Sequence, residues 1–83
     1  MQENLYFNEK DLFEFYKTIS QNVIRLRKER HISQLKLANA IGHQSPTFVG
    51  KAEILAENKH FNLEHLYKIS KVLEVPIEEF FKN

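Results

Sequence analysis

Eighty-three residues allow one small domain, and a hydrophobic share of 42% supplies a core that stays marginal unless helices pack well or two chains pair. There is no cysteine, which excludes disulfide scaffolds, thiolate metal sites and cysteine nucleophiles together. No apolar run approaches the roughly 20 residues of a membrane span, and no basic segment leads an apolar signal core, so a cytoplasmic protein is expected, with no membrane partner.

The net charge of +1 says little by itself, but its distribution says more. Residues 1–22 are acidic on balance, with Glu3, Glu9, Asp11 and Glu14 against Lys10 and Lys17. Residues 23–36 concentrate Arg25, Arg27, Lys28, Arg30 and Lys36 against Glu29. This local basic block, and not the global charge, is the electrostatic footprint to follow. A solvated helix surface would carry the same block.

Residues 3–7, ENLYF, resemble the start of a tag-removal protease site, with Asn8 where that site has Gln. Residues 1–7 are read as a tag remnant or a disordered N-terminus, and 8–83 as a single domain. Asn8 caps a helix with Glu9 and Asp11 in its first turn. Its apolar stripe runs Leu12, Phe15, Ile19, Val23 and Leu26, widened by Phe13, Tyr16 and Ile24. The spacing predicts one long helix, or two nearly continuous ones, from about Asn8 to Arg30. His31 and Ile32 connect to a second helix, Gln34 to Ile41, capped by Ser33 and striped by Leu37, Ala38 and Ile41. Gly42 stops it. After His43 and Gln44, Ser45-Pro46 reads as a cap followed by the first helical residue of a third helix, Pro46 to about Leu55. Phe48, Val49 and Ala52 form its apolar face. Residues 56–61, AENKHF, read as a polar loop with one aromatic. Asn62 caps a fourth helix striped by Leu63, Leu66, Ile69, Val72 and Leu73, and Pro76 opens a last short one over Ile77 to Phe81. No stretch alternates as a strand, so the fold is all-α. Residues 33–53 hold two caps, one stop and two stripes, the makings of a helix-turn-helix.

Leu26 to Arg30, Ile32-Ser33-Gln34, Leu37-Ala38, Ile41-Gly42, Glu53 and Leu63 to Phe81 together resemble the Cro/lambda-repressor-type helix-turn-helix family, the XRE family of bacterial regulators. The discriminating part is Gln34, Ala38 and Gly42 at four-residue steps, followed by Val49 and Glu53. The resemblance implies a compact five-helix lambda-repressor-like domain, here with an extended N-terminal helix. It departs from the family in three places: a turn one residue longer through Gln44, a longer loop after Glu53 without its usual glycine, and Gly50 inside helix 3. Leu35 also stands where the family keeps a polar residue.

In that architecture helix 3 enters the major groove of double-stranded DNA and helix 2 lies across the backbone. The resemblance places Pro46, Thr47, Gly50 and Lys51 toward bases, with Lys51 suited to guanine O6 or N7 and Thr47 to a base edge or phosphate. Gln44 and Ser45 reach base or backbone. Gln34 resembles the family's phosphate-binding glutamine. Lys36, Lys59 and His60 are further phosphate candidates, with Arg25 and Arg27 behind them. Since helix 3 lacks Arg, Asn and Gln, affinity is expected to lean on phosphates and DNA shape.

One such domain reads too few bases for genomic selectivity, so a homodimer is expected. Phe80, Phe81, Ile77 and Tyr67, or the helix around Phe13, Phe15 and Tyr16, could supply its surface; core is the expected place for most of these aromatics, and exposure for Phe13 and Phe81. The resulting expectation is a small, nucleoid-associated transcriptional regulator, a repressor, without cofactor. The competing reading is a protein-interaction module of the same fold, such as a toxin-neutralising antitoxin or a coactivator. The histidines, His31, His43, His60 and His65, lack i,i+4 pairing and cysteine partners, which argues against a metal. No nucleophile turn accompanies Ser and His, so no enzyme is expected.

Overall fold

The computed structural model describes residues 6–83, and most of the 1–7 stretch set aside above lies outside it. The spine is α1 (Glu9–Glu29), and its 21 residues at ~1.5 Å each reach three quarters of the 41 Å long axis. Asn8 caps it, its Oδ1 accepting from the Asp11 N–H at 2.9 Å, with Glu9 and Asp11 facing the positive end of the helix dipole. Its C-terminal half carries the buried core residues Ile19, Val23 and Leu26, with Tyr16 packed against them from the N-terminal half. Leu12 and Phe15, expected in the same stripe, are about half exposed, because the N-terminal half of α1 meets loop and terminal residues, Phe81 against Phe15 and Leu55 and His60 beside Leu12.

Two short helices follow, α2 (Gln34–Ala40) and α3 (Thr47–Ile54). Ser33 caps α2 through its Oγ, which accepts from the Lys36 N–H at 3.0 Å. The α2 stop is a Schellman turn: the Gly42 N–H donates to Asn39 O and the His43 N–H to Ala38 O. Gly42 sits there at φ +100°, as expected of the one glycine in that turn. Ala38 and Val49 are both fully buried in the common core, where α2 crosses α3.

A turn at Ala56–Asn58 leads to α4 (Leu63–Leu73). Asn62 and His65 form a reciprocal cap: Asn62 Oδ1 accepts from the His65 N–H, and His65 Nδ1 accepts from the Asn62 N–H. Leu63, expected in the α4 stripe, is 73% exposed. The loop before α4 contributes Phe61, 2% exposed and one of the two largest buried side chains, which a reading of AENKHF as polar loop misses.

The final element is a 3₁₀ turn (Ile77–Phe81) and not an α-helix, so the all-α fold has four α-helices among the described residues. Asn22 Nδ2 donates to the carbonyls of Phe80 and Lys82 at 2.9 and 2.7 Å, which fastens this turn to α1. Phe80 is fully buried under it and cannot serve as an interface residue, whereas Phe81 and Phe13 are exposed as expected.

Three helices end on a left-handed residue that is not glycine: His31 after α1, Leu55 after α3 and Glu74 after α4, all with φ near +56°. Glu57 and Asn58 share that conformation. The segment where the family glycine is missing thus reverses direction with three left-handed side-chain-bearing residues in four.

Candidate nucleic-acid interface

The helix pair is held from beneath by one buried ion pair. Arg27 on α1 reaches Glu53 on α3 in a fork, Nε to Oε2 at 2.7 Å and Nη2 to Oε1 at 3.0 Å. Its Nη1 donates to Ile32 O at 2.9 Å, fixing the connection into α2. Both side chains are almost wholly inaccessible. This corrects the reading of Arg27 as a phosphate contact: its side chain is buried and each of its three nitrogens donates inside the protein. Ser20 adds a second tie, its Oγ donating to Ala52 O at 2.8 Å.

Gln34 joins the same network. Its Nε2 donates to Glu53 Oε1 at 2.8 Å, so one amide hydrogen is anchored while the other remains for a further acceptor. Gly50 lies opposite, where an added Cβ would stand 3.6 Å from Gln34 Oε1. Sixteen residues apart in sequence, the start of α2 and the middle of α3 therefore meet at one amide.

The start of α3 differs from the expected cap. Pro46 itself is the N-cap, in a right-handed conformation, and the helix begins at Thr47. The Gly50 N–H donates to Pro46 O at 2.9 Å. Ser45 Oγ stays one step outside, donating to Thr47 Oγ1 at 3.2 Å and accepting from the Thr47 N–H at 3.4 Å. Gln44, Ser45, Pro46 and Thr47 are all exposed, as is Lys36 on α2.

Lys51 is half-buried and its Nζ pairs with Glu57 Oε2 at 2.6 Å. The hydrogen bond and charge of Lys51 hold the Glu57 carboxyl below its ordinary pKa, with Lys59 adding to the effect. Lys59 is exposed. His60 turns away from the helix pair: its ring stacks on Tyr16 of α1 at 4.0 Å between centroids. It lines a groove with Leu12, Phe13, Tyr16 and Leu55. Arg25 pairs with Glu29 at 3.2 Å. Gln34, Gly50 and the exposed 44–47 segment thus adjoin, whereas His60 belongs to a different face.

The helix-turn-helix family profile matches residues 23–80, well over half of the chain. The chain belongs to the Cro/lambda-repressor-type helix-turn-helix (XRE) family. No curated protein matches it, and no solved structure does. Membership makes the chain a helix-turn-helix DNA-binding regulator, in a family of DNA-binding domains and not of enzymes. The match begins at Val23 and so leaves the exposed N-terminal half of α1 outside the family unit. Arg27 and Glu53 within the XRE frame, and Ser20 just before it, are what sequence reasoning missed as supports of the site. Spacing carried no signal for a pair 26 residues apart. No helix among the described residues is long and apolar enough to cross a membrane.

Proposed function

We propose that this regulator is a repressor that binds specific duplex DNA as a homodimer, with the start of α3 in the major groove and α2 across the backbone. The observation that carries the reading is the anchored Gln34 amide: Glu53 fixes it beside Gly50, next to the exposed Ser45–Thr47 segment. A polar group held in place before binding loses little freedom on meeting a phosphate, which favours it as a clamp. Thr47, Pro46, Gln44 and Ser45 are the base-side and backbone-side contacts, Lys36 a phosphate contact at the start of α2, and Lys59 an outer one. Gly50 gives the backbone close approach. Lys51 reads a base only after leaving Glu57, so its contribution is reduced by the competing carboxylate. His60, stacked on Tyr16, is a minor participant.

Two-fold pairing draws on the free end of α1, where Leu12, Phe13 and Phe15 are exposed and Phe15 stacks on Phe81 at 6.2 Å. The protein-interaction reading is favoured by one observation: Leu35 and Ile54 add exposed apolar surface on α2 and α3 themselves.

Fluorescence anisotropy with a random-sequence duplex and with a duplex selected from a library, each at two salt concentrations, tests the reading. Binding with a steep loss on raising salt, and tighter binding to the selected duplex, is expected. Absence of binding at low salt overturns it in favour of a protein partner.

A further inference from the structure

The first turn of α3 rests on an aromatic cluster that contains two histidines. Phe48 is flanked by His43 from the turn, stacked at 5.1 Å and 11°, and by His65 from α4, at 4.5 Å. Phe61 closes the cluster edge-on, 6.0 Å from Phe48 and 6.3 Å from His65. The His65 ring is fixed by its Nδ1, which accepts the Asn62 N–H at 3.0 Å. An acceptor nitrogen carries no proton, so this geometry requires neutral imidazole.

We propose that His65 is a proton-sensitive positioning residue, which holds the first turn of α3 through Phe48 when neutral and releases it when protonated. The effect on DNA binding rests on the regulatory reading above. Protonation at Nδ1 would set two donors, this N–H and that of Asn62, against each other. The cap of α4 opens, and the ring that braces Phe48 loses its anchor. Every neighbour bears on the balance. From the turn, His43 lies 6.2 Å away between centroids and repels a second cation. His60, in the loop, acts in the same direction. On α4, Glu64 favours the proton and Lys68 opposes it, and these two pair with each other at 2.8 Å. From α3 the neighbour is the uncharged Phe48.

Burial first, and then His43, holds the His65 pKa below the ordinary imidazole value. A base whose folded pKa is depressed contributes stability that is present above the unfolded pKa. That stability is lost as pH falls from about 6.5 through the folded value.

The test is an NMR pH titration of the histidine rings, read together with the Asn62 amide and the Phe48 ring. The expected result is a His65 midpoint below the ordinary imidazole value, with Asn62 and Phe48 moving at the His65 midpoint. The variant His65→Gln keeps an acceptor for the cap but cannot take the proton, and it is expected to lose the acid-side fall in Tm. At fixed salt, well below Tm, affinity of the native protein for a duplex selected at about pH 8 should fall several-fold by about pH 5.5. Added positive charge alone would raise it. In His65→Gln the fall should disappear. The proposal is overturned if His65 titrates at or above the ordinary value, or if Asn62 and Phe48 do not follow it. It is also overturned if native affinity rises steadily with acid. If His65→Gln does not fold, His43→Gln decides the matter, since removing that neighbour should raise the His65 midpoint. If no duplex binds at any pH, the regulatory reading fails while the titration still decides the positioning role.

Discussion

Removing Arg27 and then its partner separates folding from function. Arg27→Met deletes three hydrogen bonds: two to Glu53, at 2.7 and 3.0 Å, and one to Ile32 O at 2.9 Å. The carboxylate of Glu53, whose side chain is 3% exposed, then keeps the Gln34 amide as its side-chain partner. Breaking a buried pair from one side costs about 3–5 kcal/mol. At ~0.05–0.15 kcal/mol per residue, a chain of this length has a total stability of roughly 4–12 kcal/mol, so the loss is a large part of the whole. Urea unfolding followed by helical circular dichroism reads it. With m near ~1–1.5 kcal/mol/M, the midpoint should fall by roughly 2–5 M, or the variant should be unfolded at once. The double variant Arg27→Met with Glu53→Leu leaves no buried charge behind and should return to within about 2 kcal/mol of the native protein. It should still bind DNA more weakly, because Gln34 has lost its anchor. A cost below about 1 kcal/mol for the single variant, or no recovery in the double, would refute the argument that this pair holds the helices.

Smaller substitutions probe the turns and the α3 surface. Glu74→Gly, at φ +56° after α4, should raise stability by about 1 kcal/mol, which is ~4–8 °C in Tm for a domain of this size. Gly42→Ala should lower it by a similar amount or more, since φ is +100° there although no atom lies within 4 Å. Gly50→Ala should stabilise α3 by ~0.5–1 kcal/mol in thermal unfolding, because its Cβ would sit in ordinary contact, 3.6 Å from Gln34 Oε1. Glu57→Gln frees Lys51 from its ion pair and should tighten duplex binding in low-salt anisotropy, a gain that disappears at high salt.

What the sequence makes legible is mostly local. Asn8, Ser33 and Asn62 are caps because their side chains act within three residues, and all three cap as expected. Gly42 ends α2 for a reason contained in its own backbone angle. Long-range consequences were hidden. A basic block gives no hint that Arg27 turns inward while Lys28 and Arg30 stay exposed. Helical periodicity identifies the face of α1 that carries Leu12 and Phe15, but not where the packing partner ends. Left-handed turns at His31, Leu55 and Glu74 carry no glycine to announce them. Phe61 stands among polar residues, and its burial depends on Phe48 of α3 and His65 of α4, which meet it edge-on. The candidate interface was legible as a set of exposed positions from Gln44 to Thr47, but the Glu57 partner of Lys51 and the stacking of His60 on Tyr16 were not.

The central claim is that DNA meets this chain along the start of α2 and the start of α3. Backbone amide shifts of the labelled protein, followed as a selected duplex is added at low salt, test it most directly. The account predicts that the largest changes fall at Gln34–Lys36 and Gln44–Lys51, while the exposed residues of α1 from Glu9 to Phe15 stay unmoved by the duplex. Changes concentrated on the N-terminal half of α1 and the C-terminal turn, with residues 44–51 silent, would contradict it.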